Sequence, residues 1–92
     1  MADPSERIGK YLTVEDISPP SRLTKVWVLN GSDNSPLGQI RWYSAWRQYT
    51  FWPNGNLAIV LNATCLDDIA KFTRAKTQAH MEALTANSDS GR

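Results

Sequence analysis

A single cysteine occurs in this chain of 92 residues, so no disulfide can form within one copy of it. Small secreted domains usually depend on several disulfides, and a domain of this size without them is typical of a reducing compartment. The N-terminus lacks an apolar run of signal-peptide length, and no segment approaches the ~20 apolar residues that a membrane helix needs. We therefore expect a cytoplasmic protein without a membrane segment.

Residues that commonly carry chemistry are equally scarce. The chain has one histidine, His80, and its cysteine is Cys65, and it contains no hydrolase, phosphate-loop or zinc-binding motif. Cys65 lies near the start of a predicted helix, where a thiol pKa can fall, but a small buried apolar role is the favoured interpretation. For His80 we favour a partly exposed helix position. We expect a non-enzymatic protein without metal or cofactor, and a small enzyme with an unrecognised site is the third interpretation.

The chain also lacks a strong charge of either sign. Ten lysine and arginine residues and nine aspartate and glutamate residues give a formal net charge of +1. This balance neither favours nor excludes a polyanionic partner. Both ends are polar and without apolar periodicity, so we expect residues 1–10 and 87–92 to be disordered and residues 11–86 to form one domain.

Several short segments have the composition and alternation of β-strands. Residues 24–30, 37–44 and 47–53 are rich in β-branched and aromatic side chains and are separated by turn-forming residues. Residues 57–61 are predicted as a short fourth strand. Residues 11–17 fit either an edge strand or a packed arm. Because side chains alternate across a strand, the inward side chains of the second and third strands are predicted to be Ile40, Trp42, Tyr49 and Phe51.

A helix is predicted to begin near Asn62–Thr64 and to end at about residue 86. Thr64 and Asp67 have the spacing of a capping box. The 3.6-residue period puts one set of side chains on an apolar face: Cys65, Leu66, Ile69 and Phe72. The fold class is therefore predicted to be α+β, an antiparallel meander of three to four strands packed against one C-terminal helix. The second face of the sheet is then open, or is covered by the N-terminal arm or by a second copy.

Aromatic residues are concentrated in the sheet. All of them except Tyr11 and Phe72 lie between Trp27 and Trp52, and residues 41–49 alternate aromatics with arginines. Core packing is the favoured interpretation for this segment as a whole, since a small domain needs large side chains to fill its core. The same residue types are enriched in protein–protein hot spots, and they also stack on bases and hold phosphates in single-stranded nucleic acids.

The preferred functional hypothesis is an accessory binding protein that uses an aromatic and arginine-rich sheet surface for protein contact or self-association, as a homodimer. Single-stranded nucleic-acid binding, with Lys25 as a neighbouring cation, is the alternative. It ranks second because phosphate neutralisation dominates nucleic-acid affinity and the net charge is near zero. The candidate surface is Trp27, Arg41, Tyr43, Trp46, Arg47 and Trp52.

The segment from Leu37 to Phe72 has a distinctive pattern, LGxIxWYxxWRxYxFxP followed by CLxxIxxF. This pattern resembles a family of small uncharacterised proteins of phages and other mobile elements. The resemblance covers less than half of the chain and carries no catalytic residue and no cofactor. It implies an accessory protein of a mobile element, a class whose members often bind nucleic acid or a host protein.

Overall fold

The computed structural model describes residues 5–21, 23–56 and 58–90, with the backbone alone for residues 86–90. The secondary-structure elements are β1 (Ser5–Arg7), β2 (Thr13–Asp16), β3 (Val26–Asn30), β4 (Pro36–Tyr43), β5 (Gln48–Pro53) and α1 (Ala63–Ser90). The strands form one antiparallel sheet in the order β1-β2-β3-β4-β5. The predicted α+β meander with one C-terminal helix is confirmed, with five strands instead of three to four.

The N-terminal segment forms part of the sheet. Glu6 pairs with Val14, and the N–H of Ile8 donates to the carbonyl of Leu12 at 3.1 Å, so β1 and β2 form a hairpin. The predicted disorder of residues 1–10 is therefore wrong for residues 5–10, and residues 1–4 lie outside the described part. Of residues 11–17, which were predicted as an edge strand or a packed arm, residues 13–16 form a strand, β2; it lies between β1 and β3 and not at the edge of the sheet.

The predicted fourth strand at 57–61 is wrong for residues 58–61, which are irregular, and residue 57 is not among those described. Val60 is 93% exposed, whereas Leu61 packs against the core. The reason is that α1 contacts the free edge of β5, where the N–H of Tyr49 donates to Thr77 Oγ1 at 2.9 Å. The helix therefore occupies part of the edge that a further strand would need for pairing.

Asn62 caps the N-terminus of α1. Its side-chain Oδ1 accepts a hydrogen bond from the N–H of Cys65 at 2.9 Å, which is the usual N-cap geometry. The predicted capping box of Thr64 and Asp67 is wrong, because the helix begins before Thr64. The helix then continues to Ser90 without an internal glycine or proline to stop it. The predicted disorder of 87–92 is therefore wrong for residues 87–90, and residues 91–92 are outside the described ranges.

The core lies between α1 and one face of the sheet. Its buried apolar side chains are Leu12, Val14, Trp27, Leu29, Ile40, Tyr49, Cys65, Ile69 and Phe72. The predicted inward faces of the second and third strands are confirmed, since Trp42 and Phe51 pack against this cluster. Burial of Cys65 is also confirmed. Leu66 was predicted on the apolar helix face, but it is 54% exposed because only the Cys65–Ile69–Phe72 stripe points at the sheet.

Candidate functional site

The sheet face opposite α1 is open. Strand register puts Val26, Arg41 and Thr50 in one row across this face. It puts Val28 and Trp52 in the next row. These side chains alternate with the core residues along each strand, so they point away from the helix. Since α1 is the one helix in the described part of the chain, no helix there covers this face.

Four side chains of the open face form a cluster that we call the aromatic patch: Arg41, Tyr43, Trp46 and Trp52. The Arg41 guanidinium carbon lies 4.4 Å from the Trp52 ring centroid, a cation–π arrangement. The Tyr43 ring lies edge-on to both tryptophans, with centroid distances of 4.9 Å to Trp46 and 5.8 Å to Trp52. Trp46 is 66% exposed and Trp52 is 38% exposed. The patch is therefore a contiguous apolar surface with a cation on it.

A tight turn at residues 44–47 presents Trp46. The N–H groups of Trp46 and Arg47 both donate to the carbonyl of Tyr43, at 3.2 and 2.9 Å. Arg47 closes the turn with φ of 54°, a left-handed conformation that is uncommon for a residue with a side chain. The turn contains no glycine to adopt that conformation, so this part of the backbone carries some strain.

Hydrogen bonds hold Trp52 in place. Its indole Nε1–H donates to Thr50 Oγ1 at 2.8 Å, and the Thr50 hydroxyl donates to the carbonyl of Arg41 at 3.1 Å. The two sides of the β4–β5 hairpin are thereby joined through one hydroxyl. The Trp52 side chain is consequently pre-ordered, so a partner that contacted it would lose little side-chain entropy there.

The structure brings together four of the six predicted surface residues as the aromatic patch. Arg47, the fifth, is exposed in the adjoining turn. Trp27 was predicted on this surface, and this is wrong: it is 4% exposed and lies in the core. Trp27 pairs with Ile40 across β3 and β4, so the two side chains share the inward face. Its ring stands edge-on to those of Tyr49 and Phe72, at centroid distances of 5.3 and 5.0 Å.

Sequence reasoning missed the part of the open face that β2 and β3 contribute. Glu15 pairs with Val28, so its carboxylate lies on the same face as Arg41, two strands away. The alternation of buried Leu12 and Val14 with Thr13 and Glu15 is the signal that identifies this face. The open face also has a groove of about 360 Å³, lined in part by Val28, Arg41 and Trp52.

The charges of the open face are unevenly placed. Between Pro36 and Asn56 the charged residues are Arg41 and Arg47, both cationic. Lys25, which directly precedes β3, lies on the helix side of the sheet instead and forms an ion pair with Asp16, with Nζ and Oδ2 3.5 Å apart. Hydrogen bonds from Ser18 hold the pKa of Asp16 below its usual value, and the charge of Lys25 adds to this effect. The aromatic patch is therefore locally basic, and the carboxylate of Glu15 lies across the sheet from it.

The single cysteine and the single histidine lie on the helix side of the sheet, away from the open face. Cys65 is buried, and the His80 ring lies 4.5 Å from that of Trp42, against the core side of the sheet. Within the described ranges, no three histidine, cysteine or acidic side chains are grouped so as to hold a metal ion. None of the helices in those ranges has the length and apolarity to span a bilayer.

The free edge of β5 is partly closed to another strand. The Asn54 N–H donates to the Leu37 carbonyl at 2.8 Å, and alternation along the strand then directs the backbone of Tyr49, Phe51 and Pro53 outward. Thr77 accepts the Tyr49 N–H, and Pro53 has no N–H to donate. Only Phe51 is left with an outward N–H in this strand. Such blocking of an edge is a common defence against strand addition.

We expect Thr77→Val to lower the free energy of unfolding by about 1–3 kcal/mol, since it leaves the buried N–H of Tyr49 without an acceptor. Urea titration followed by circular dichroism measures the change, and hydrogen exchange should show faster exchange of the Tyr49 amide. Thr77→Ser keeps the hydroxyl and is the matched control. Equal stability and equal exchange in the two variants would contradict a stabilising hydrogen bond from the Tyr49 N–H to Thr77 Oγ1.

No family model, no curated protein and no solved structure matches this chain. The resemblance to mobile-element proteins therefore stays a prediction from the sequence pattern.

Proposed function

We propose that this protein is a non-enzymatic binding protein that contacts other proteins through its open sheet face. The partner that we propose first is a second copy of the same chain, so that the protein forms a homodimer. The observation that carries the proposal is the exposure of Trp46 and Trp52 in one contiguous patch. Large apolar patches are rare on monomers and usually mark interaction sites. Tryptophan, tyrosine and arginine, which make up this patch, dominate protein–protein hot spots.

The charges of the open face favour a second copy over an unrelated partner. Glu15 and Arg41 lie on opposite sides of β3 and are level with Val28 and Val26, so their Cα atoms are roughly 12 Å apart at strand spacings of about 4.8 Å and a rise of about 3.4 Å per residue. In a face-to-face dimer whose two-fold axis runs between the two sheets and parallel to β3, the left side of one sheet faces the right side of the other. Glu15 of each copy then faces the side of the other copy that carries Arg41. An isologous interface needs this kind of self-complementary surface. The two aromatic patches then flank the charged pairs.

Face-to-face packing fits the backbone better than edge-to-edge pairing. The β5 edge is closed at Tyr49 and Pro53, as described above, and β1 at the other edge has only three residues. Neither edge presents a long row of free N–H and C=O groups to a neighbouring sheet. The side-chain surface of the open face is consequently the larger available interface.

We expect the purified chain to be a dimer by size exclusion coupled to light scattering, and Trp46→Ala to weaken the dimer. Truncating a central hot-spot residue typically loses 2 kcal/mol or more, which corresponds to roughly a 30-fold rise in Kd. Val60→Ala is the matched control, because Val60 is apolar and highly exposed but lies outside the open face. A strict monomer at about 1 mM, or an unchanged dimer in Trp46→Ala, would overturn the proposal.

Charge reversal tests the arrangement of the two copies. Glu15→Arg and Arg41→Glu are each expected to weaken the dimer, since each puts like charges opposite one another. The double variant should recover most of the loss, because the pair is rebuilt with its signs exchanged. Additive losses in the double variant would contradict the two-fold arrangement and leave only the aromatic contact.

Single-stranded nucleic acid is the second candidate, favoured by the exposure of Trp46 beside the exposed Arg47. An indole of this kind can stack on a base while guanidinium groups hold phosphates. The scattering experiment includes a short mixed-sequence single-stranded DNA at low and high salt. A monomer that shifts with DNA at low salt and releases it at high salt would replace self-association as the function.

We further propose that the protein is a cytoplasmic accessory protein of a mobile element. The single cysteine supports the cytoplasmic location, and the sequence resemblance supports the link to a mobile element. Its partner in that setting would be another copy of itself or a host protein. Co-purification of the tagged chain with an untagged copy, compared with Trp46→Ala, separates the self-association part from binding to a host protein.

A further inference from the structure

A second cavity lies on the other side of the sheet, between the sheet and the C-terminal half of α1. Its volume is about 270 Å³. The rings of Trp27 and Tyr49 are buried at its base, and Leu23 and Ala79 are among the apolar residues of its walls. A cavity of roughly 150 Å³ is enough to hold a benzene ring. The space is therefore sufficient for a single aromatic ring with a polar substituent.

The charged groups that line this cavity are all basic. They are Lys25 and Lys76, with His80 and Tyr49 as further titratable groups, and no aspartate or glutamate of the described residues lines it. Lys25 forms an ion pair with Asp16, with Nζ and Oδ2 3.5 Å apart, so its charge is partly neutralised. Lys76 takes part in neither of the ion pairs found in the described residues. The cavity thus has a cation whose charge no carboxylate of the described structure offsets.

The Lys76 ammonium group lies over two aromatic rings, those of Trp27 and Phe72. Its Nζ lies 5.6 Å from the centroid of Trp27 and 5.3 Å from that of Phe72. These contacts orient the ammonium group along the apolar surface and limit its access to water. An anion that enters the cavity would meet an ammonium in a setting less screened than bulk water, where an ion pair is stronger.

We infer that this cavity binds a small anion with a flat apolar body, of the class of aromatic monocarboxylates. The apolar body lies between Leu23 and Ala79 above the Trp27 and Tyr49 rings, and the carboxylate pairs with Lys76. Lys25 supplies a second positive charge at the cavity. This site is independent of the proposed self-association, because it lies on the helix side of the sheet and uses none of the aromatic patch.

Benzoate is the probe, and benzamide, which has the same shape without the charge, is its matched control. Both are titrated into the full ¹⁵N-labelled chain, and amide and indole shifts are followed by NMR. A ligand of this size at ordinary efficiency binds with a Kd on the order of 1 mM. We expect saturable benzoate shifts at the Trp27 indole and around Ala79, and binding of benzamide weaker by about tenfold or more.

Three variants test the role of Lys76. Lys76→Gln is expected to weaken benzoate binding to the level of benzamide, and Lys76→Arg to retain it. Lys71→Gln is the control, because Lys71 lies on the exposed side of the same helix and pairs with Asp67 at 3.1 Å. The spectrum of each variant reports its folding directly. The absence of saturable benzoate shifts up to about 10 mM, or shifts confined to Trp46, would show that this cavity does not bind the anion. Equal affinity for benzamide, or unchanged benzoate binding in Lys76→Gln, would show that the charge of Lys76 plays no part. Each of these outcomes overturns the inference.

Discussion

Trp27→Ala is expected to lower the free energy of unfolding by about 3–5 kcal/mol, the range for removing a large aromatic side chain from a core. Trp27 is 4% exposed and contacts the rings of Tyr49 and Phe72, so it joins β3, β5 and α1. Its loss leaves a cavity at the point where the helix meets the sheet. Urea denaturation followed by far-ultraviolet circular dichroism measures the change.

Trp46→Ala is the matched control for this prediction. It removes the same side chain, but Trp46 is 66% exposed in a turn and should change the stability of the monomer by less than about 1 kcal/mol. Small domains are often stable by only 5–15 kcal/mol, so Trp27→Ala can fall near the limit of folding. Trp27→Phe keeps an aromatic ring and should show an intermediate loss. Similar losses in Trp27→Ala and Trp46→Ala would contradict the observed burial.

The opposite environments of these two tryptophans show what sequence reasoning can reach. The alternation within residues 37–53 is local, and it correctly separates inward Ile40 and Tyr49 from outward Arg41 and Tyr43. The face of Trp27 is different, because β3 is short and apolar on both sides. Only its register with β4, where Trp27 pairs with Ile40, decides that the indole points inward. That register is a long-range property, and a shift of one residue reverses it.

The two edges of the sheet also depend on long-range contacts, so local sequence patterns do not predict them. Residues 57–61 have the composition of a strand, but the place beside β5 is taken by α1, whose Thr77 accepts the Tyr49 N–H. Ser5–Arg7 has no apolar alternation, yet it forms β1 because β2 offers it a free edge. The aromatic patch was mostly predictable from the hairpin alone. The opposing carboxylate of Glu15 was not, since it depends on the placement of β2.

Gly38→Ala is expected to destabilise the fold by about 3 kcal/mol, at the upper end of the usual range for overpacking a core. A Cβ at this position would clash with the carbonyl oxygen of Trp52 and would lie 2.8 Å from the Phe51 ring. The carbonyl belongs to the backbone of the paired strand, so it cannot rotate away as a flexible side chain would. Gly38 is therefore required by the close approach of β4 and β5.

The same substitution reaches the candidate interface, because the backbone that must move carries Trp52. We expect Gly38→Ala to weaken self-association as well as folding, with urea denaturation and light scattering measured on the same samples. Gly55→Ala is the matched control, since a Cβ there has no atom within 4 Å and no glycine in the described residues has positive φ. It should leave stability unchanged or raise it by about 0.4–1 kcal/mol, because alanine restricts the unfolded chain.

A Gly38→Ala variant as stable as Gly55→Ala would show that the two strands are further apart than described. A destabilised variant that dimerises normally would instead separate the packing of β4 and β5 from the binding surface.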